Sequence, residues 1–152
     1  MADALKLDAF LPYRLSIASN AVSEAIATAY QALFGLRIPE WRLIAVIAEH
    51  EGGVTQQALV AATRMDKVSV SRAAIALVER GLIQRRPNPG DQRSHMLSLT
   101  EAGRALYDDV APKALALERQ VFAGFAASEL EAFNQMLTRI EAAAGQLDHS
   151  EG

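Results

Sequence analysis

The 152-residue chain contains no cysteine. That removes disulfide scaffolds, thiolate metal sites, cysteine nucleophiles and thiol-based redox sensing together. Long apolar runs are missing as well: LIAVIA (43–48) and AAIALV (73–78) fall far short of the roughly 20 residues needed to span a bilayer. The stretch MADALKLDAFLPYRLS has no basic region leading into an unbroken apolar one, so it does not read as a signal peptide. Histidine is scarce, and His50, His95 and His149 do not share ligand spacing. No serine–histidine–acid or paired-carboxylate arrangement is legible. These absences predict a cytoplasmic protein that is not an enzyme, with no cofactor, no metal and no membrane partner.

Apolar residues make up 51% of the chain, enough for one domain of ordinary size with its own core. The formal net charge of −3 hides a segregation. Between Thr55 and Thr100 stand Arg64, Lys67, Arg72, Arg80, Arg85, Arg86 and Arg93 against Asp66, Glu79 and Asp91, a net +4, while the remainder carries −7. A basic middle between acidic flanks predicts a local anionic partner.

Leu11, Leu15, Ala18, Val22, Ile26, Ala29 and Leu33 recur at steps of three and four, which predicts one long helix closed by Gly35. Pro39 opens a second helix, PEWRLIAVIAEH, which Gly52-Gly53 ends. Two short helices follow, about 55–63 and 67–80, joined by Arg64-Met65-Asp66. Asp66 is the N-cap of the second, and Gly81 ends it with Leu82 folding back on Leu77. From Ile83 the period changes to two on either side of PNPGD, which predicts a two-stranded hairpin. Thr100 caps a long helix to about Phe125, bent at Pro112, and Ser128 with Glu131 reads as a capping box for the last helix. In that helix Leu130, Phe133, Leu137, Ile140, Ala144 and Leu147 form a seam suited to packing against other helices.

Helix, turn, helix and hairpin in that order give a winged helix-turn-helix. On a helical wheel Val70, Ala73, Ala74, Leu77 and Val78 of its second helix share an inward side. Val68, Ser69, Arg72, Ile75, Ala76 and Glu79 face out, with Lys67 and Ser71 at the leading end and flank. Short, hydroxylic and cationic side chains suit a major groove, where Ser69 and Ser71 can bond phosphates or bases and Arg72 can read guanine. The hairpin then reaches the neighbouring minor groove with Arg93 at its tip. Asp91 is placed to hold that guanidinium, and Arg85 and Arg86 lie at backbone phosphates.

The segment MDKVSVSRAAIALVERGLIQRRPNPGDQRSHMLSLTEAG, with Asp91-x-Arg93 followed by Leu99-Thr100-x-x-Gly103, resembles the MarR family of bacterial transcriptional regulators. The likeness extends over nearly the whole chain. It implies a homodimer with intertwined first and last helices and two winged lobes on a pseudo-palindromic operator. It also implies control by a small ligand or an oxidant, and the lack of cysteine excludes the thiol-oxidation branch. FLPYRLSIASN is similar to family members that control catabolism of aromatic acids.

The expected fold is mainly α with a small β-hairpin wing. It forms a single domain over 1–152, with a DNA-binding lobe at 39–100 and dimerisation helices at 8–35 and 101–148. Dimerisation follows independently from the apolar stripes of the flanking helices, which a winged lobe of about sixty residues does not need for its own core. Two-fold symmetry would set the recognition helices one DNA turn apart, roughly 34 Å. The expected partners are double-stranded DNA, a second copy and a small effector. Tyr13, Arg14, Ile17, Trp41 and Arg42 could line an effector pocket with a cationic end, for an aromatic carboxylate or its thioester. In the plainer alternative, Trp41 and Ile17 are core and Arg14 is surface. A protein-contact module, or a small-molecule-binding protein that reads no DNA, remains the rival function.

Overall fold

The computed structural model describes residues 3–150, with side chains through residue 147. The chain divides into two compact units, Met1–Leu117 and Glu118–Gly152. The first holds α1 (Leu11–Ala27), α2 (Gln31–Phe34), α3 (Ile38–Ala48), β1 (Val54–Thr55), α4 (Gln56–Thr63), α5 (Lys67–Glu79), β2 (Ile83–Asn88), β3 (Asp91–Leu99) and most of α6 (Glu101–Val121). The second holds the end of α6 and α7 (Ala127–Ser150).

The expected first helix is two helices. Nothing in the sequence breaks it, yet α1 stops at Ala27, because the chain turns inward to bury Ala27, Ala29 and Tyr30. Tyr30 then stacks on Trp41 of α3 with ring centroids 5.5 Å apart, and Trp41 stacks on Tyr107 of α6 at 5.9 Å. Gly35 supplies the left-handed turn at φ 63°, but it closes α2 rather than one long helix. At the start of α3 the Glu40 carboxylate accepts the Arg37 backbone N–H at 2.8 Å, satisfying an amide beside the helix end.

The predicted helix pair forms as expected. Thr55 caps α4 by accepting the Ala58 N–H at 3.1 Å, and Asp66 caps α5 by accepting the Ser69 N–H at 2.8 Å. Val70, Ala73, Ala74 and Leu77 face inward and are buried. They join Leu43, Ile44, Ile47, Leu59, Ile83, Leu97 and Val110 in one core. Each of these valine, leucine and isoleucine side chains contributes about 1.5–3 kcal/mol relative to exposure. At the far end of α5, Gly81 adopts φ 71° and the Leu82 N–H donates to the Leu77 carbonyl at 3.0 Å, the expected left-handed stop.

The sheet has a strand beyond the predicted hairpin. Its order is β1-β3-β2, antiparallel throughout, with Val54 opposite Leu97 and Ile83 opposite Leu99. β1 is two residues long, too short to show an alternation in sequence. The sheet sits against the helices through buried Val54, Ile83 and Leu97. Its last strand is tied to α5 and α6 through Thr100, whose hydroxyl donates to the Gly81 carbonyl at 2.6 Å and accepts the Gly103 N–H at 3.1 Å.

α6 runs continuously through Pro112 in the first unit and ends in the second at Val121, a turn before the expected Phe125. The capping box also lies elsewhere. α7 begins at Ala127, so Glu129 is the acid that reaches back, accepting the Ala126 N–H at 2.9 Å, and Ser128 and Glu131 lie inside the helix. Phe133, Met136, Ile140 and Leu147 of the predicted seam and its border are exposed. No helix among the described residues is long and apolar enough to cross a membrane.

Candidate nucleic-acid interface

The candidate reading helix is α5, whose outward face is largely exposed. Lys67, Val68, Arg72, Ile75 and Glu79 are exposed, while Ser69, Ser71 and Ala76 are half-buried at the edges of that face. Ser69 has a prior engagement: its hydroxyl donates to the second oxygen of Asp66 at 2.8 Å. Its proton therefore serves the cap, and only its lone pairs remain for an outside donor. Backbone and hydroxyl donation from Ser69 hold the Asp66 carboxyl below its usual value of 3.8.

The wing is set by its own short polar bonds. The Asn88 side chain donates to the Ser94 hydroxyl at 2.9 Å and accepts the Gly90 N–H at 3.0 Å, shaping the tip around a register irregularity after Pro87. Asp91 accepts the backbone N–H of Arg93 at 2.9 Å. The carboxylate thus orients Arg93 through the main chain, rather than through the guanidinium as the sequence suggested. Arg85 and Arg86, adjacent on β2, project to opposite faces of the ladder. Arg85 lines a groove with Arg93 and His95 between the wing and the start of α4, a space of about 480 Å3; Arg86, also exposed, lies on the other face.

Three depressions follow one another across this surface. The wing groove is bordered by Gln56 and Gln57, which also border a second hollow with Val60 and Lys67. On the other flank of α5 a third, of about 410 Å3, is lined by Arg37, Glu40, Ser69, Arg72 and Arg80. Arg85, Arg93, Lys67, Arg72, Arg37 and Arg80 all open onto this series. The two carboxylates that share it, Asp91 and Glu40, each accept a backbone N–H. Each keeps its negative charge while it fixes an amide, so six cations face two anions along the series.

Gln56, Gln57, Arg37 and Arg80 were not among the residues predicted for the interface. The glutamines had a sequence signal, two amide donors directly after the Thr55 cap. Arg80 had only its place in the basic middle and Arg37 had none: 43 positions separate them, and only the packing of α3 on α5 brings them to one groove. Arg80 is held there by a bond from its guanidinium to the Phe34 carbonyl.

The five residues predicted for an effector site divide. Trp41 is the middle ring of the Tyr30–Trp41–Tyr107 stack, where Arg104 also lies over the Tyr107 ring at 5.7 Å. Burial pushes the Tyr30 hydroxyl up in pKa, and the charge of nearby Arg42 partly opposes that. On α1, Tyr13 is half-buried and Arg14 exposed, while Ile17 is exposed rather than core. His50 donates from Nδ1 to the Val46 carbonyl at 2.9 Å, His95 lies on the wing groove, and the His149 side chain falls outside the described residues. No metal-holding group of three or more His, Asp or Glu occurs among the described residues.

Comparison with known proteins matches this architecture. A family model described as MarR family matches residues 34–94. The HTH-type transcriptional repressor NicR of Pseudomonas putida is 30% identical over 100 residues, covering 65% of this chain and 63% of NicR, under two thirds of that relative's length. Among solved structures, CouR of Rhodococcus jostii bound to p-coumaroyl-CoA is 26% identical with a TM-score of 0.80, over 90% of this chain and 95% of that one. A MarR/EmrR family transcriptional regulator from Acinetobacter is 25% identical with a TM-score of 0.83, over 93% and 99%. The winged lobe thus matches the MarR family model, and the chain shares its fold along nearly the whole length with solved MarR-family regulators.

Proposed function

We propose that the chain is a sequence-specific DNA-binding repressor that holds a pseudo-palindromic operator as a homodimer and releases it on binding a small ligand. Residues 39–100 form the DNA-binding lobe, and 8–35 with 101–148 form the dimerisation helices. The observation that carries the reading is the cationic series of hollows from Arg93 to Arg37, with the outward face of α5 uncovered in its middle. A surface of that sign and length is self-repelling in isolation and complementary to the evenly spaced charges of a duplex. Lys67, Ser71 and Arg72 enter the major groove, Arg93 the minor groove, and Arg85 and Arg86 meet phosphates. Asp91 positions Arg93, and Ser69 contributes through its cap and its lone pairs.

Dimerisation is supported by apolar side chains that the chain leaves uncovered, Leu11, Leu15 and Ile17 on α1 and Phe133, Met136 and Ile140 on α7. Sedimentation should give a species of twice 16.4 kDa; a monomer would remove the paired geometry. DNA binding is tested by fluorescence anisotropy over a salt series. The log–log slope should fall by about 0.9 for each phosphate neutralised, and a flat response would favour a protein-contact module instead.

The effector is an aromatic acid or its thioester, bound near Tyr13, Arg14, Ile17, Trp41 and Arg42. CouR, solved with p-coumaroyl-CoA, supports that class. The ligand acts through its difference in affinity between the DNA-competent conformation and another. Adding p-coumaroyl-CoA or p-coumarate to the preformed complex tests this by release of the labelled duplex. Tight ligand binding with unchanged DNA affinity would favour a carrier.

A further inference from the structure

The outward face of α5 carries two large apolar side chains, Val68 at 58% exposure and Ile75 at 47%. A single exposed valine is ordinary on a protein surface. This one sits in the first turn of the reading helix, between Lys67 and four residues short of Arg72, both exposed. Cations on either side disfavour an apolar protein partner and favour a polyanion. Ile75 lies seven residues on, on nearly the same side and about 10.5 Å further along the axis. The two apolar side chains therefore share one side of α5, about two turns apart.

A valine can neither donate nor accept a hydrogen bond. Of the groups that base pairs display in the major groove, only the 5-methyl of thymine is apolar. In a helix the valine side chain is also nearly fixed at χ1, so it presents its methyl groups without losing rotamer freedom on contact. We infer that Val68 reads the 5-methyl group of a thymine in each half of the operator. This rests on the DNA-binding reading above and adds to it one base position and the side chain that reads it.

The preferred site is first selected from random-sequence duplexes with the wild-type dimer. Each thymine of that site is then replaced, one at a time, by deoxyuridine, which keeps every hydrogen-bonding edge and lacks only the methyl. One position per half-site should lose about fourfold in affinity, the change that burial of one methyl group produces. Val68→Ala should bind the parent duplex more weakly and show no further loss at that position. Ile75→Ala, two turns up the same face, should retain the deoxyuridine penalty.

A selected site without thymine, a wild-type protein indifferent to every replacement, or a full penalty retained in Val68→Ala each overturns this inference and leaves the DNA-binding function standing. A selection that yields no preferred sequence overturns the function and the inference together.

Discussion

The carboxylate of Asp91 accepts the backbone N–H of Arg93 at 2.9 Å, so the acid at the wing tip acts as a turn-former for the residue two places on. An asparagine keeps an oxygen in that position and removes the negative charge. Asp91→Asn should therefore bind operator DNA at least as tightly as wild type. Asp91→Ala should bind more weakly, by about 1 kcal/mol, the usual worth of one such hydrogen bond. Anisotropy titrations of the two variants decide it, and an Asn variant as weak as the Ala variant would assign the role to charge.

The arginines should separate by kind of contact. Arg72→Ala should weaken binding by about 1–3 kcal/mol and relax the preference for one base pair. Arg37→Gln should weaken binding across all sequences alike and flatten the salt dependence by roughly one unit of slope. Arg93→Ala should lower affinity while leaving the dimer intact, as sedimentation would show. An unchanged salt slope in Arg37→Gln would exclude the hollow it shares with Arg72 and Arg80 from the footprint.

Gly103 packs against the main chain: a Cβ added there would lie 2.0 Å from the Leu82 carbonyl oxygen. The obstacle is main chain, which has no rotamer to swing away, and the Leu99 side chain adds a contact at 3.3 Å. Gly103→Ala should destabilise the fold by about 1–3 kcal/mol, the range for overpacking. Gly52→Ala, where an added Cβ meets nothing within 4 Å, should leave the urea midpoint unchanged.

Asp66 gives a pH signature. Its carboxyl is held below 3.8 by donation from Ser69, so the charged cap stabilises the native state above that value. The contribution is lost as pH falls from 3.8 through the lower native value. The gap in urea midpoint between wild type and Asp66→Ala should be steady from neutrality down to about pH 5 and shrink in more acid solution. A gap that stays constant to pH 2 would show that the charge contributes nothing.

Local signals were legible wherever one residue's own chemistry settles the backbone. Asp66, Gly81 and Thr100 were read from sequence as cap, left-handed stop and cap, and each occupies that role. The signals failed where distant packing decides. The end of α1 at Ala27 depends on Tyr30 reaching Trp41, eleven positions on, while the local periodicity favours continuing the helix. β1 exists only because β3 offers Val54 and Thr55 a ladder. The α7 cap slipped because Glu129 and Glu131 are equally good acids on paper and only the start at Ala127 chooses between them.

The Thr100 hydroxyl, bound at once to the Gly81 carbonyl and the Gly103 amide, leaves no hinge at the junction of three elements. Rotation of the first turns of α6 has to carry the end of α5 and the root of the wing with it. Both elements of the proposed DNA interface would then swing as a single lever, so a ligand that tilts α6 by a few degrees would displace helix and hairpin together rather than loosening one and sparing the other.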